Sequence, residues 1–245
     1  MVERQRADLL LVERGFFESR AKAQAAIAAG LVRANGRIVS KASETVPRDA
    51  ALEAEPAFIF VSRGGVKLEA ALDGFGFDVK DRLCLDIGSS TGGFTDAMLR
   101  RGAKRVMAVD VGRDQLHPSL RNDERVESHE GTDIRQFIIT GAKPDFASVD
   151  VSFISLSAIL PIVANLLAPS AEIALLIKPQ FEVGRAQIGK GGIVRDRAAV
   201  AAVLERVQTE VRALGFAVLG LMESPIAGGD GNQEYLLGAR RVEPA

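Results

Sequence analysis

The sequence predicts an α/β protein in which a small N-terminal α+β module precedes a larger domain built on a mostly parallel sheet. Residues 1–48 hold nine lysines or arginines against five acidic residues, although the 245-residue chain has a net charge of −1. An acidic run follows and reaches Pro56, which interrupts periodic structure. From residue 64 onward, apolar runs alternate with helical segments, as in a parallel sheet covered by helices. We therefore expect a module over 1–57, a linker over 58–63 and a domain over 64–245.

Composition narrows the class of protein. Hydrophobic residues make up 47% of the chain and charged residues 26%, the ordinary balance of a globular protein. Cys84 is the only cysteine, so no disulfide forms within the chain, and we expect a reducing, cytoplasmic location. With His117 and His129 as the only histidines, the sequence predicts no metal site. The apolar runs fall far short of the ~20 residues that span a bilayer, so we expect no membrane span.

The basic module begins with two short helices and a hairpin. "RADLLLVERGFF" predicts an amphipathic helix that ends at Gly15. Ser19 is a suitable N-cap for an alanine-rich second helix, which Gly30 ends. The Asn-Gly pair at 35–36 stands between two apolar runs and predicts a tight β-hairpin.

Six basic residues of this module are candidate contacts to phosphate groups. They are Arg4, Arg6, Arg20, Lys22, Arg33 and Arg37. Such a cluster can bind nucleic acid through charge alone. Scattered basic residues are equally typical of a solvated surface, so charge by itself leaves both interpretations open.

Seven apolar runs predict the strands of the larger domain. They are, in chain order, "RLCLDI", "RVMAVDV", "RVESH", "PDFASVDV", "EIALLIK", "FAVLGLME" and "EYLLGARR". Helical patterns lie near residues 65–75, 92–101, 155–167 and 196–214. Because only a loop separates the last two strands, we expect the final strand to run antiparallel to the others in a seven-stranded sheet.

A glycine-rich turn, "DIGSSTGGF", joins the first of these strands to a helix. Glycines allow the backbone to approach a ligand closely, and the helix that follows offers free N–H groups. The spacing of Gly88, Gly92 and Gly93 differs from the dinucleotide fingerprint, and the lysine of a phosphate loop is missing. Asp86 precedes the turn and Asp110 ends the next strand, where it could hold ribose hydroxyls. Together these features favour a site for S-adenosylmethionine over a dinucleotide site.

Four further polar residues lie where the predicted topology brings them to one edge of the sheet. Asp150 and Lys178 end apolar strands, and Glu234 begins the final strand. Lys67 begins the helix before the first strand. Each residue alone is consistent with a cap or a surface charge. Two lysines and two carboxylates at one edge are instead typical of a site that tunes pKa values.

Longer motifs resemble a known family. The pattern "R-A-D-x-L-L", "S-R-A-K-A-x-x-x-I-x-x-G-x-V" and "N-G-x-x-V" over residues 5–52 resembles the S4 RNA-binding domain. "VSRGGVKLEAAL", "CLDIGSSTGGFTDAMLRRGA", "VDVGRDQLHPSLRNDERV", "DVSFISL", "KPQFEVG" and "GNQEYLL" resemble the TlyA family, whose members join an S4 domain to an FtsJ-like methyltransferase and are often labelled hemolysin A. The resemblance implies a Rossmann-like fold, S-adenosylmethionine as methyl donor, ribosomal RNA or ribosomal subunits as partner, and 2′-O-methylation of a cytidine ribose.

The resemblance also implies roles for individual residues. The catalytic tetrad corresponds to Lys67, Asp150, Lys178 and Glu234. The donor site corresponds to Asp86, Gly88, Ser89, Ser90, Gly92, Gly93, Phe94, Asp110 and Val111, with Asp133 facing adenine where several relatives have Asn. One departure is the linker, which reads "FIFV" at 58–61 where some relatives have Arg-Ala-Trp-Val, so no linker role in donor binding is carried over.

Transfer to a 2′-hydroxyl needs a base, and we expect Lys178 to serve. A neighbouring Lys67 cation and partial burial should lower the pKa of its amine. Asp150 and Glu234 would orient the lysines and hold the ribose. Two other classes remain open, namely a hemolysin-like, membrane-active protein and an RNA-binding or ribosome assembly factor with an inactive methyltransferase domain.

Overall fold

The computed structural model describes residues 3–242, which form two compact units that meet in sequence between Ile59 and Phe60. This point lies inside the linker that the sequence places at 58–63. No helix within residues 3–242 combines the length and apolar character needed to cross a membrane.

The N-terminal unit is small and mixed. Its elements are, in chain order, β1 (Arg4–Arg6), α1 (Ala7–Glu13), α2 (Arg20–Ala28), β2 (Val32–Ala34), β3 (Arg37–Ile38), β4 (Thr45–Pro47) and β5 (Leu52–Ala54). Strand β1 pairs with β4, and β2 pairs with both β3 and β5, all antiparallel. Its core is formed by Leu10, Leu11, Ile27, Val32 and other apolar side chains of the two helices and the strands.

The local signals of this unit are confirmed. Ser19 caps α2, because its Oγ accepts a hydrogen bond from the Lys22 backbone N–H. Asn35 and Gly36 both have positive φ, at 50° and 74°, which a two-residue turn between twisted antiparallel strands requires. Few residue types tolerate that conformation, so the Asn-Gly pair predicts the hairpin from sequence alone.

The C-terminal unit contains the remaining elements. They are α3 (Gly64–Phe75), β6 (Leu83–Ile87), α4 (Gly93–Arg100), β7 (Arg105–Asp110), α5 (Pro118–Arg121), β8 (Val126–Glu130), β9 (Phe146–Val149), α6 (Leu160–Leu166), β10 (Glu172–Ile177), α7 (Pro179–Glu182), α8 (Arg197–Ala213), β11 (Phe216–Glu223) and β12 (Tyr235–Arg241). The sheet order is β11-β12-β10-β9-β6-β7-β8. The five strands β6 to β10 are parallel to one another, and β12 is antiparallel to both β10 and β11. The predicted sheet, including its reversed last strand, is confirmed.

This topology brings the predicted polar residues to one edge. Asp150 follows β9 and Lys178 follows β10, so both lie at the carboxyl ends of parallel strands. Because β12 is reversed, its first residue Tyr235 pairs with Ile177, the last residue of β10. Glu234 therefore lies at the same edge, as the sequence predicts.

One predicted helix is divided in two. The segment near 155–167 forms a 3₁₀ turn over Leu156–Ala158, and α6 begins only at Leu160. Pro161 explains the break, since proline has no N–H to donate and is tolerated only in the first turn of a helix. The buried side chains of both pieces join the core that covers the sheet.

Candidate active site at the carboxyl edge of the sheet

A cavity of about 680 Å³ opens at the carboxyl ends of β6, β7 and β9. Its walls come from Ile87, Gly88, Ser90, Gln115 and Ile159 and from residues 109–111, 132–135 and 150–154. This position is the usual ligand site of an open α/β sheet, and the volume suits a small organic ligand. Five of the predicted donor residues line it, namely Gly88, Ser90, Asp110, Val111 and Asp133.

The glycines of the turn are required by the protein's own atoms. A Cβ at Gly88 would lie 2.2 Å from the backbone oxygen of Asp150, and one at Gly92 would lie 2.3 Å from Leu120 Cδ1. Both glycines have positive φ, at 81° and 94°. From the sequence, these glycines are expected to allow close approach of the backbone to a ligand. In the structure, close approach to a neighbouring strand end and to a side chain already accounts for both.

Asp86 lies beneath the turn and does not line the cavity. It is fully buried, and its two carboxylate oxygens accept hydrogen bonds from Thr95 Oγ1 at 2.6 Å and Ser148 Oγ at 3.0 Å. Burial raises the pKa of this carboxyl to about 7, although the two hydroxyl donors oppose the shift. The carboxyl group thus ties the end of β6 to α4 and β9. Ser89, Gly92, Gly93 and Phe94 also lie outside the cavity lining, and their donor contacts stay predictions.

Asp110 and Asp133 are the two predicted carboxylates on the cavity wall. Asp110 accepts backbone hydrogen bonds from Ser90 at 2.8 Å and Gly112 at 2.7 Å, which fix it beside the turn. Asp133 accepts from the backbone N–H and the guanidinium of Arg135, and this arginine lowers its pKa. Arg135 lines the cavity as well, but no sequence signal distinguished it from other surface arginines.

The four tetrad residues form two ion pairs. Lys178 Nζ lies 2.6 Å from Asp150 Oδ1 and donates a hydrogen bond to Ser152 Oγ at 2.9 Å. Lys67 Nζ donates to Glu234 Oε2, and both side chains are almost buried, with 11% and 3% of their surface exposed. From the sequence, the Lys67 cation is expected to be the charged neighbour of Lys178. In the structure each lysine has a carboxylate as its ion-pair partner.

Glu182, whose side chain is 2% exposed, is a residue that the sequence analysis missed. Its carboxylate accepts hydrogen bonds from the Leu156 backbone N–H at 2.7 Å, Ser155 Oγ at 2.8 Å and the Arg206 guanidinium at 2.6 Å. It therefore fastens the loop after Asp150 to the short helix after Lys178. The one available signal was its place in "KPQFE", one helical turn after the lysine.

In the N-terminal unit, two of the predicted RNA contacts share a buried carboxylate. Asp8 is fully buried and accepts two hydrogen bonds from Arg6, one from Arg20 and one from Gln24, all at 2.9–3.0 Å. The side chains of both arginines remain about half exposed. Asp8 thus holds two cations in a fixed orientation at the surface, which a count of charges could not show.

The other predicted contacts of this unit lie at its surface. Lys22 pairs at 2.6 Å with Glu18, which lies four residues earlier in the chain, just before α2. Arg4 donates to the Thr45 backbone oxygen, and Arg33 donates to that of Gly36 at 3.1 Å. Arg37, the last of the six, is exposed on the hairpin. Their contacts to RNA stay predictions.

Comparison with known proteins identifies both units. Residues 60–241 match the FtsJ-like methyltransferase family, and residues 5–51 match the S4 domain. The chain is therefore an FtsJ-like methyltransferase that carries an S4 domain at its N-terminal end. A methyltransferase of this family takes its methyl group from S-adenosylmethionine.

Full-length relatives narrow the family further. The chain is 50% identical over 239 residues to a putative rRNA methyltransferase, YqxC, of Bacillus subtilis, covering 96% of this chain and 85% of that protein. It is 43% identical over 246 residues to the 16S/23S rRNA (cytidine-2′-O)-methyltransferase TlyA of Mycobacterium tuberculosis, covering 98% and 91%. A solved structure of a putative hemolysin from Streptococcus thermophilus is 45% identical, with a TM-score of 0.77 over 100% of this chain and 91% of that one. The chain belongs to the TlyA family.

Proposed function

We propose that this protein is an rRNA methyltransferase that transfers a methyl group from S-adenosylmethionine to the 2′-hydroxyl of a cytidine ribose. The observation that carries the proposal is the position of Asp150. This residue lines the cavity and also pairs with Lys178, so Asp150 links the proposed donor site to the lysine that we assign to catalysis. The identity with rRNA cytidine methyltransferases over nearly the whole chain supports the same reaction.

The residues of the cavity fit the methyl donor. Asp110 provides a carboxylate that can accept hydrogen bonds from ribose hydroxyls, and Ile134, Ile154 and Ile159 provide apolar walls for a purine. When bound, S-adenosylmethionine supplies an electrophilic methyl group. The protein must then hold the acceptor ribose at the mouth of this cavity and remove one proton.

Lys178 is the residue that we assign to the proton transfer. A 2′-hydroxyl is a weak nucleophile and needs a base within hydrogen-bond reach as it attacks. Asp150 and Ser152 fix the position of the Lys178 amine, which acts as a base from its neutral form. The Lys67–Glu234 pair holds a second amine and carboxylate at the same edge for contacts with the ribose. Orienting the two substrates in this way can contribute about 7–11 kcal/mol to lowering the barrier.

We further propose that the S4 domain binds ribosomal RNA or a ribosomal subunit, and that the protein works in the cytoplasm, where ribosomes are found. The arginines held by Asp8 present their charges in a defined geometry. Such a surface suits the phosphates of structured A-form RNA, which proteins recognise mainly through shape and backbone contacts.

The deciding experiment measures transfer of a labelled methyl group to purified ribosomal subunits and to naked rRNA. Mass spectrometry of the digested RNA should detect 2′-O-methylcytidine. Lys178→Arg should retain donor and RNA binding yet lose two to four decades in kcat, the usual worth of a general base, because arginine stays protonated.

Lys104→Arg is the matched control, since it makes the same substitution at an exposed lysine before β7, at the opposite edge of the sheet. Near-normal single-turnover methylation by Lys178→Arg would move the base to another residue. RNA binding without any methyl transfer by the wild-type protein would instead favour an inactive assembly factor. Lysis of erythrocytes without methyl transfer would favour a membrane-active protein.

A further inference from the structure

A second cavity, of about 590 Å³, adjoins the tetrad in sequence and lies between the beginning of α8 and the beginning of β12. Pro179, which follows Lys178, is on one wall. Asn232 and Gln233, which precede Glu234, are on another. The polypeptide segments that carry two of the four tetrad residues therefore continue directly into this cavity. Its volume is in the range of sites that hold a nucleotide-sized ligand.

The segment between α7 and α8 gives this cavity a positive rim. Arg195 and Arg197 line it, and Arg185 and Lys190 lie on the same loop, all four exposed. Within residues 3–242 none of these four side chains makes a hydrogen bond or an ion pair. Arginines elsewhere in the domain, such as Arg82, Arg101, Arg125 and Arg206, are paired with carboxylates.

The acidic residues nearby leave an excess of positive charge. Asp196, the one acidic residue of the loop, caps α8 by accepting hydrogen bonds from the backbone N–H groups of Ala198 and Ala199. Among the residues that line the cavity, Glu223 is the acidic one, whereas Arg195 and Arg197 are both basic. Since the whole chain has a net charge of −1, this local excess does not follow from composition.

A buried amide fastens the loop to the active-site segments. Asn232 accepts a hydrogen bond from the Val194 backbone N–H and donates to the Gly192 backbone oxygen, both at 2.9 Å. It also donates to Asp230, which accepts from Gln180 in α7. The base of the basic loop is thereby held in a fixed position relative to the segment that follows Lys178 and the segment that precedes Glu234.

We propose that this cavity, with Arg195 and Arg197 at its rim, is a second RNA subsite that binds the phosphodiester and nucleotide next to the one that is methylated. The proposal rests on the function proposed above and names a substrate contact in the methyltransferase domain itself. Guanidinium groups bind phosphate oxygens in a bidentate geometry. Tyr235 lines the same cavity and offers an aromatic ring to a base, as in many single-stranded RNA sites.

The test compares full-length Arg195→Glu/Arg197→Glu with a control that has the same change in charge, Lys104→Glu/Arg212→Glu. The control residues are exposed and lie before β7 and in the last turn of α8, at the opposite edge of the sheet. Binding is measured against the rRNA fragment that the wild-type protein protects from nuclease, at several salt concentrations. The site variant should bind at least tenfold more weakly, and its salt slope should fall by about 0.7–0.9 for the one lost phosphate contact.

A second measurement locates the contact. Single phosphates around the methylated cytidine are replaced by neutral methylphosphonates. At the adjacent phosphate the replacement should weaken binding by the wild-type protein and have little further effect on the Glu/Glu variant. Arg195→Lys/Arg197→Lys should recover part of the affinity, and calorimetry should show unchanged donor binding in every variant.

Equal affinity and salt slope for the site variant and the control would overturn the subsite, as would equal losses on methylphosphonate replacement in wild type and variant. The comparison of affinity and salt slope measures RNA binding alone and needs no methyl transfer. A wild-type protein that binds rRNA but transfers no methyl group would therefore refute the proposed function, while the binding comparison would still decide the subsite. A wild-type protein that binds no rRNA would overturn both.

Discussion

Gly88→Ala tests whether the glycine turn is shaped by the protein rather than by its ligand. The new Cβ would lie 2.2 Å from the Asp150 backbone oxygen, whereas ordinary contact begins near 3.4 Å. The two strand ends must therefore separate by about 1 Å, against the hydrogen bonds that join Asp150 N to Ile87 O and Gly88 N to Val109 O. Alanine at a φ of 81° adds strain of about 1–2 kcal/mol. Overpacking adds about 1–3 kcal/mol more.

The displacement should also reduce catalysis, because Asp150 holds Lys178. A shift of this size at a catalytic group is worth about 10²-fold in rate. We expect Gly88→Ala to lower the urea midpoint of the methyltransferase domain and to lower kcat by about two decades in the methyl-transfer assay. Crystals of the variant should show the carbonyl of Asp150 moved away from the turn.

Gly76→Ala is the matched control for this experiment. Gly76 has a φ of 67°, and a Cβ there would meet no atom within 4 Å. It should therefore show the left-handed strain alone, about 1–2 kcal/mol, and an unchanged kcat. If the two variants have the same stability and the same kcat, the collision with Asp150 does not occur and the reasoning is wrong.

Three further predictions concern buried charges. Glu234→Gln should lower the free energy of unfolding by about 3 kcal/mol, because it leaves Lys67 buried without its carboxylate. Adding Lys67→Met should restore most of the stability in urea denaturation but none of the activity, and a stable single variant would contradict this. The raised pKa of Asp86 means that the folded state holds a proton that the unfolded state has lost, so wild-type stability should fall as pH rises from about 3.8 to about 7. Asp86→Asn should flatten this decline in denaturation at a series of pH values, and an unchanged profile would refute it. The contribution of Asp8 to stability changes with pH in the opposite direction, because Arg6 lowers the pKa of its carboxyl group. This contribution is present above pH 3.8 and is lost as the pH falls. Asp8→Asn should lower the free energy of unfolding of the N-terminal unit by about 1 kcal/mol at neutral pH, a small value because the partner arginines are half exposed. Amide exchange of this unit should show that the difference from wild type becomes smaller in acid.

Local sequence determined most of the secondary structure. The Ser19 cap, the Asn-Gly hairpin and the seven strand patterns depend on residues that are neighbours in the chain, so each could be read without the fold. The reversed direction of β12 followed from a connection that contains only a loop. The break before α6 was missed although Pro161 was visible, because the apolar pattern continues across it.

For the candidate site too, some features follow from the sequence and others only from the tertiary structure. The sequence alone identified the types and approximate places of the four tetrad residues, since strand ends and parallel order bring them to one edge. Only the tertiary structure decided how they pair, because Lys67 and Glu234 are 167 residues apart and long-range partners leave no local pattern. It also decided that Gly88 is required by the backbone of Asp150 and that Asp8 holds two arginines. Chain connectivity fixes which residues come near an edge, whereas atomic packing fixes which atoms fill the space and which charges neutralise each other.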